Sequence, residues 1–318
     1  LMPGFTNAHM HFYGTYARGL SIPTPMHNFH EILRHLWWAL DKALDLDAVY
    51  YSTLLPAITS VKKGVTSVID HHASPNAVDG SLDRIQDALE QVGMRGILCY
   101  EVSDRDGKDI RTQGLRENER YIRKCQSAKE NDPFALFDGM VGLHASFTLD
   151  DDSLEQAADL CRSVNRGVHI HMLEDRVDET LTREKYWRGV VDRLHHFGLL
   201  ASNSITAHGI FVDDDAIAQI ADTETSVVHQ AQSNMNNAVG RADVFNMLNH
   251  GITIGIGTDG MTPDLRREVM TGYLMHKHHL ADNNAGWTEY ETMTFNNNPA
   301  IYQRISGQKV GRVEGGYL

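Results

Sequence analysis

The sequence predicts an α/β fold, a closed barrel of eight strand-helix units, and three observations carry that prediction. Short β-rich segments alternate with segments of helical periodicity along the whole chain. Eight such strand segments can be counted, and most run into an ionisable residue where they end. The length of 318 residues suits eight units built as one domain. Strict alternation implies a parallel sheet, and closing that sheet brings the residues at the strand ends together at one mouth.

The first strand runs from Leu1 to His11, entered through a turn at Pro3-Gly4. The second is Val65–Asp70, the third Arg95–Tyr100, the fourth Met140–His144 and the fifth Gly167–His171. Ser204–His208, Ser226–His229 and Gly251–Asp259 complete the series. Among the intervening helices, Leu154, Ala157, Ala158, Cys161 and Val164 form one apolar face, started by the acidic cluster Asp150-Asp151-Asp152. No G-x-G-x-x-G follows any strand, which removes the commonest dinucleotide-binding reading. The longest connection follows the first strand and carries Tyr13, Tyr16, Arg18, His27, His30, Trp37 and Trp38. Such a loop lies over the mouth and can cap a substrate. The Trp37-Trp38 pair, set among Leu33, Leu36 and Leu40, reads first as the apolar face of a helix packed on the core.

Composition excludes several classes of function. A net charge of −13 opposes a phosphate-binding surface, so nucleic acid is not expected as a partner. Cys99, Cys125 and Cys161 are far apart and form no C-x-x-C, which indicates neither a disulfide framework nor a thiolate zinc site. No apolar run approaches the roughly 20 residues of a membrane span, and the first residues match no leader peptide. A soluble protein in the reducing cytoplasm is the expectation.

The chemistry-bearing residues fall at the strand ends. His9 and His11, two apart on a strand, project from one face and make half of a metal site. His171 ends the fifth strand with Glu174 three residues on, His208 ends the sixth, and Asp259 follows the eighth. Imidazoles and a carboxylate delivered to one barrel mouth suit a single divalent cation. His169 shares the face of His171 one layer deeper and reads as a hydrogen-bonded core histidine. Glu174 reads either as a surface residue opening a loop or as a proton shuttle above a metal-bound water. Asp259 reads either as a ligand or as the N-cap of a helix beginning near Thr262-Pro263. His144 and His229 end the fourth and seventh strands as substrate or structural contacts. The adjacent pairs His71-His72, His195-His196 and His278-His279 read mainly as structural.

This set of segments resembles the amidohydrolase superfamily, in its aminohydrolase branch of cytosine, guanine and adenosylhomocysteine deaminases and triazine hydrolases. The resemblance rests on Pro3-Gly4-Phe5-Thr6-Asn7-Ala8-His9-Met10-His11, the His171-x-x-Glu174 pair, Ala207-His208-Gly209 and Thr258-Asp259-Gly260, in that order. Leu36–Asp41, Asp70–Pro75 and Ser233–Gly240 look closer still to SsnA-type aminohydrolases. The resemblance implies a TIM barrel of the metal-dependent hydrolase type. It implies that His9, His11, His171 and Asp259 bind one divalent metal, with His208 beside its water. The fourth strand ends in His144 where a carbamylated lysine would be needed, so the implied centre is mononuclear. Three imidazoles and a carboxylate suit Zn(II) first and Fe(II) second.

The implied activity is hydrolytic deamination of a small aminated heterocycle of purine, pterin, pyrimidine or triazine type, with Glu174, His208 and Asp259 as catalytic groups. The alternatives are attack on a cyclic amide or a halogenated triazine and, in another class, a metal-binding barrel without catalysis. Substrate contacts are sought among Arg18, His72, Tyr100, His144 and Asn234, with Tyr13, Glu101, Asp104, Arg105 and Asn236 as further pocket candidates. A homodimer is expected by family analogy. The resemblance implies relatives that flank the barrel with a small β-sandwich, which is expected to be largely absent from these residues. The chain is therefore expected to be one barrel domain over 1–318, with residues 1–4 and about 306–318 as remnants joining that sandwich and an apolar patch near the termini.

Overall fold

The protein, described over residues 1–318 by a computed structural model, builds its barrel from nine parallel strands. These are β1 (Phe5–Met10), β2 (Val65–His72), β3 (Arg95–Tyr100), β4 (Phe137–Gly139), β5 (Val141–Ala145), β6 (Val168–Met172), β7 (Ile205–His208), β8 (Ser226–His229) and β9 (Ile254–Ile256). The ladder runs β1-β2-β3-β4 in one sheet and β5-β6-β7-β8-β9 in the other. Two isolated parallel bridges join the sheets at both ends. At one seam Val102 pairs with Leu143, and the His144 amide donates to the Val102 carbonyl at 2.9 Å. At the other Met10 pairs with Asp259, and the Thr258 amide donates to the His9 carbonyl at 2.9 Å. The cylinder is thereby closed.

Seven of the eight expected strands stand where the alternation put them, with ends shifted by a few residues. The fourth differs. It begins at Phe137 rather than Met140 and breaks at Met140, so that β4 pairs with β3 and β5 with β6. A Cβ at Gly142 would stand 2.3 Å from the Tyr100 carbonyl oxygen, so the close approach at this seam requires glycine.

Eleven buried residues form a floor beneath the mouth. Ala8, Ile69, Ile97, Ile205 and Val228 come from five of the strands, and Met140 from the break between β4 and β5. They gather around Ile301, Tyr302 and Ile305 of the helix Asn298–Ser306. A larger cluster of 55 buried residues packs strands against the outer helices. The helix Asp151–Val164 is typical: Asp150 accepts from the Ser153 amide at its N-terminus, and Leu154, Ala157, Ala158 and Val164 turn inward. No helix is long and apolar enough to cross a membrane. All nine strands belong to the barrel, and Leu1, Met2 and Val313 near the termini are exposed.

The connection from β1 to β2 folds over the mouth through a 3-10 turn (Phe12–Ala17), a π-helical turn (Leu33–Trp37) and the helix Leu46–Lys62. Trp37 and Trp38 were expected in the core. They are half-buried, packed on the core on one side and walling the cavity on the other, and the π turn is the irregularity that aims them there.

Candidate metal centre

His9 on β1 and His11 just past its end, still extended, face the same way, and β6 presents His169 and His171 from one pleat face. His11 Nδ1 lies 2.6 Å from the His71 carbonyl oxygen, and His171 Nδ1 lies 2.9 Å from that of His144. A carbonyl only accepts, so each Nδ1 carries the ring proton and each Nε2 keeps a lone pair. Those two Nε2 atoms face each other at 3.1 Å, and Asp259 Oδ1 stands 3.3 Å from His11 Nε2. Lone pairs cannot bond one another. His9 Nε2, deeply buried, has no hydrogen-bond partner either, while its Nδ1 is tied to His169 Nε2 at 2.8 Å. His169 therefore backs His9 from the layer below. A divalent cation satisfies all of these atoms at once, so the donor set fits the metal that the motif implies. The ligand atoms group accordingly: those of His9, His11 and Asp259 lie within 4.8 Å of one another, as do those of His9, His171 and His208. Burial first, then the neighbouring imidazoles, holds His9 and His171 well below the ordinary histidine range, which keeps them neutral as ligands must be.

Beside this quartet stand His208 and Glu174. His208 Nδ1 faces the Asn234 amide oxygen at 2.9 Å, and its Nε2 lies 3.3 Å from Glu174 and 3.8 Å from Asp259. Glu174 is pushed well above the usual carboxylate range, by burial first and then by Asp259. Burial also raises Asp259, but His11, His208, the Ser233 hydroxyl and the Gly260 amide outweigh it and hold its carboxyl below the usual range. Three non-glycine residues around the site, Leu173 (φ 52°), His208 (φ 76°) and Asp259 (φ 54°), hold left-handed backbone. Such strain persists where surrounding structure over-determines it. Asp178 fixes the loop bearing Glu174 by accepting from the Leu173 amide at 2.9 Å and the Phe147 amide at 3.3 Å. Asn237 donates to Glu174 itself at 3.3 Å.

The quartet opens into a cavity at the barrel mouth. Phe29, Leu33, Trp37, Trp38 and Phe147 form its apolar wall, and Tyr13, Glu101, Arg105, His144, Glu174 and Asp259 its polar one. Of the five expected substrate contacts, only His144 lines it. Arg18 is exposed at the end of the 3-10 turn. His72 is buried with Nε2 on the Ser74 hydroxyl at 3.0 Å, and Tyr100 packs behind it. Asn234 is fully buried on the far side of His208. Asn236 is exposed and Asp104 is bonded to Ser153, so neither reaches the cavity, whereas Tyr13, Glu101 and Arg105 do. His229 packs against His276 and Tyr290, away from the cavity. His71 is more than a structural residue, since its Nδ1 meets Glu101 at 3.2 Å. Asp259 is not an N-cap: the next helix is Leu265–Leu280, capped by Asp264. Sequence reasoning missed Asp178, and it found Ser233 and Asn237 only as members of the Ser233–Gly240 run.

A model of the Amidohydrolase family matches residues 1–318. The chain is 30% identical to a 5-methylthioadenosine/S-adenosylhomocysteine deaminase of Pyrococcus abyssi, over 100% of this chain and 72% of the relative. Among solved structures it superimposes on a guanine deaminase from C. acetobutylicum with bound guanine, with a TM-score of 0.85 at 18% identity over 99% of this chain and 75% of that one. It also superimposes on an adenosine deaminase from Xanthomonas campestris with bound zinc, with a TM-score of 0.81 at 21% identity over 99% and 70%.

Proposed function

The chain belongs to the amidohydrolase family, and from that premise we propose that it is a metal-dependent hydrolase that deaminates a small aminated nitrogen heterocycle and releases ammonia. The observation that carries this reading is the convergence of His9, His11 and His171 Nε2 with Asp259 beside a Glu174 that faces the same cavity. The deaminase relatives support it, and the zinc in a neighbouring structure favours Zn(II) over Fe(II) in the quartet. Held by His9, His11, His171 and Asp259, a divalent cation would supply a water acidic enough to act as nucleophile at neutral pH, with its pKa lowered toward about 7.

The remaining work falls to the side chains. Trp37, Trp38 and Phe147 enclose a flat ring and exclude bulk water. Asp259 and His208, 3.8 Å apart, receive the proton of the attacking water. Glu174 carries a proton and gives it to the ring nitrogen beside the attacked sp² carbon, so that negative charge does not build up there. Asp259 then returns that proton to the departing amine, and the proton left on the attacking oxygen restores Glu174 as the carbon–nitrogen bond breaks. Water and the aminated ring thus become the oxo ring and ammonia. We extend the proposal to a homodimer in the cytoplasm, which rests on family likeness alone and is checked by sedimentation and fractionation.

The test is ammonia release from a panel of purines, pterins, pyrimidines and triazines by zinc-loaded protein, stripped protein and the Glu174→Gln variant. Stripping should abolish turnover. Glu174→Gln should keep its zinc and lose about 10²- to 10⁴-fold in kcat. Full turnover by that variant excludes the scheme, and chloride or amide cleavage without ammonia reassigns the leaving group.

A further inference from the structure

Glu101 follows β3 and has no role in the scheme above, yet its side chain is almost fully buried and faces the cavity. Its Oε2 stands 3.2 Å from His71 Nδ1; His71 Nε2 already gives its proton to the Leu143 and His169 carbonyls at 3.0 and 3.1 Å, so a bond at Nδ1 takes one further proton shared by the His71–Glu101 pair. Its Oε1 accepts no hydrogen bond within the chain: Arg105 Nη2 at 3.9 Å and His144 Nε2 at 4.0 Å are both beyond hydrogen-bond range, and ring nitrogens of His11 and His171 lie within 4.8 Å of the carboxylate. Two of the Arg105 nitrogens donate elsewhere, Nη2 to Asp41 and Nε to Asp106 at 3.0 Å, with the guanidinium laid over the Trp38 ring. Arg105 therefore supplies charge near Glu101 without satisfying it.

His144 supplies a second acceptor. The Thr148 hydroxyl donates to the Ala145 carbonyl at 3.0 Å, so the lone pair it shows His144 Nδ1 at 2.7 Å must meet an N–H. His144 Nε2 is then a lone pair, and it too has no hydrogen-bond partner within the chain. Two acceptors 4.0 Å apart thus open onto the cavity. They stand on a different side of the quartet from Glu174: Glu101 groups with His11, His71 and His171, whereas Glu174 groups with His208 and Asp259.

Taking the deaminase reading as given, we propose that Glu101 and His144 are specificity-determining residues that select a ring whose reacting carbon lies between two ring nitrogens. One nitrogen is unprotonated and faces Glu174. The other is an N–H which, together with an N–H of the amine, donates to Glu101 Oε1 and His144 Nε2. That unit is a cyclic guanidine, as in 2-amino-4-oxopyrimidine rings. In adenine- and cytosine-type rings the reacting carbon has a carbon on that side, and both acceptors would be left buried without a donor.

The test compares kcat/KM of the zinc-loaded protein for guanine and isocytosine against adenine and cytosine, and for guanine against 1-methylguanine, in which the N–H is blocked. The amino-oxo rings should be preferred, and the methyl group should cost about ten- to a hundredfold, as expected for a hydrogen bond to a charged group. Glu101→Gln should shrink the guanine-to-adenine ratio by a similar factor. A ratio unmoved by Glu101→Gln, or indifference to the methyl group, overturns the proposal, and the methyl comparison needs no variant to fold. A preference for adenosine over 2′,3′-dideoxyadenosine that Glu101→Gln removes would assign the acceptors to a diol and likewise overturn it. Equilibrium binding of the same rings to Glu174→Gln separates the two levels of inference. If no ring yields ammonia, the deaminase reading fails, while the binding preference still supports or overturns the acceptor pair.

Discussion

Replacing Gly257 with alanine tests whether barrel closure and metal binding are one structure. Gly257 follows β9 at the seam with β1, and a methyl there would stand 2.5 Å from the His9 carbonyl oxygen, 2.7 Å from His9 Cβ and 2.8 Å from His9 N. Cβ contacts below 3.0 Å do not occur, so the shortest must open by at least 0.5 Å, the difference between 3.0 and 2.5 Å. None of the three atoms lies at the end of a flexible side chain, so β1 has to move, and the residue that moves is His9, a proposed metal ligand. Overpacking of this kind costs about 1–3 kcal/mol, and at roughly 2–4 °C per kcal/mol for a large domain the melting temperature should fall by roughly 2–12 °C. Zinc occupancy should fall with it, since a ligand displaced by half an ångström leaves the geometry the cation needs. Gly315→Ala is the control, because nothing lies within 4 Å of its Cβ. The assay is thermal melting with and without zinc, together with zinc per chain by elemental analysis. A Gly257→Ala protein with an unchanged melting temperature and one zinc per chain would refute the coupling.

Two further perturbations follow. Asn237→Ala removes the amide that donates to Glu174 at 3.3 Å, and should lower kcat about tenfold with zinc content unchanged, because the acid is then less well aimed; zinc loss or an unchanged kcat would count against this role. Asp70 is pushed up to about 7, chiefly by burial, despite accepting from the Phe12 amide at 2.9 Å. A raised folded-state pKa means that folding favours the protonated acid. Its stability contribution is full below the unfolded value near 4 and is lost as pH rises through about 7. Asp70→Asn should therefore flatten the decline in melting temperature between pH 5 and 8, and parallel profiles for the two proteins would show that Asp70 does not govern it.

Much of the fold, and the meeting of the histidines and Asp259 at one mouth, was legible in the sequence because both depend on short-range order. Strand and helix periods are local, and a parallel barrel carries every strand end to the same mouth whatever lies between. His9, His11, His171, His208 and Asp259 therefore needed only to end strands to meet. Substrate contacts could not be read in this way. Arg18, His72, Tyr100 and Asn234 were chosen by proximity in sequence, but neighbours on a strand alternate between faces. His71 rather than His72 consequently turns toward the site, and Glu101 rather than Tyr100 reaches the cavity.

What the sequence by itself determined is the barrel and the identity of the groups at its mouth, since backbone pattern and residue chemistry specify both without long-range detail. Only the tertiary structure decided the rest: that a π-helical turn swings Trp37 and Trp38 over the cavity, that Asp178 and Asn237 hold the loop and the carboxyl of Glu174, and that Glu101 and His144 are left as open acceptors. The physical reason is that each of these depends on which hydrogen-bond partners packing brings within reach, and those partners come from chain segments tens of residues apart.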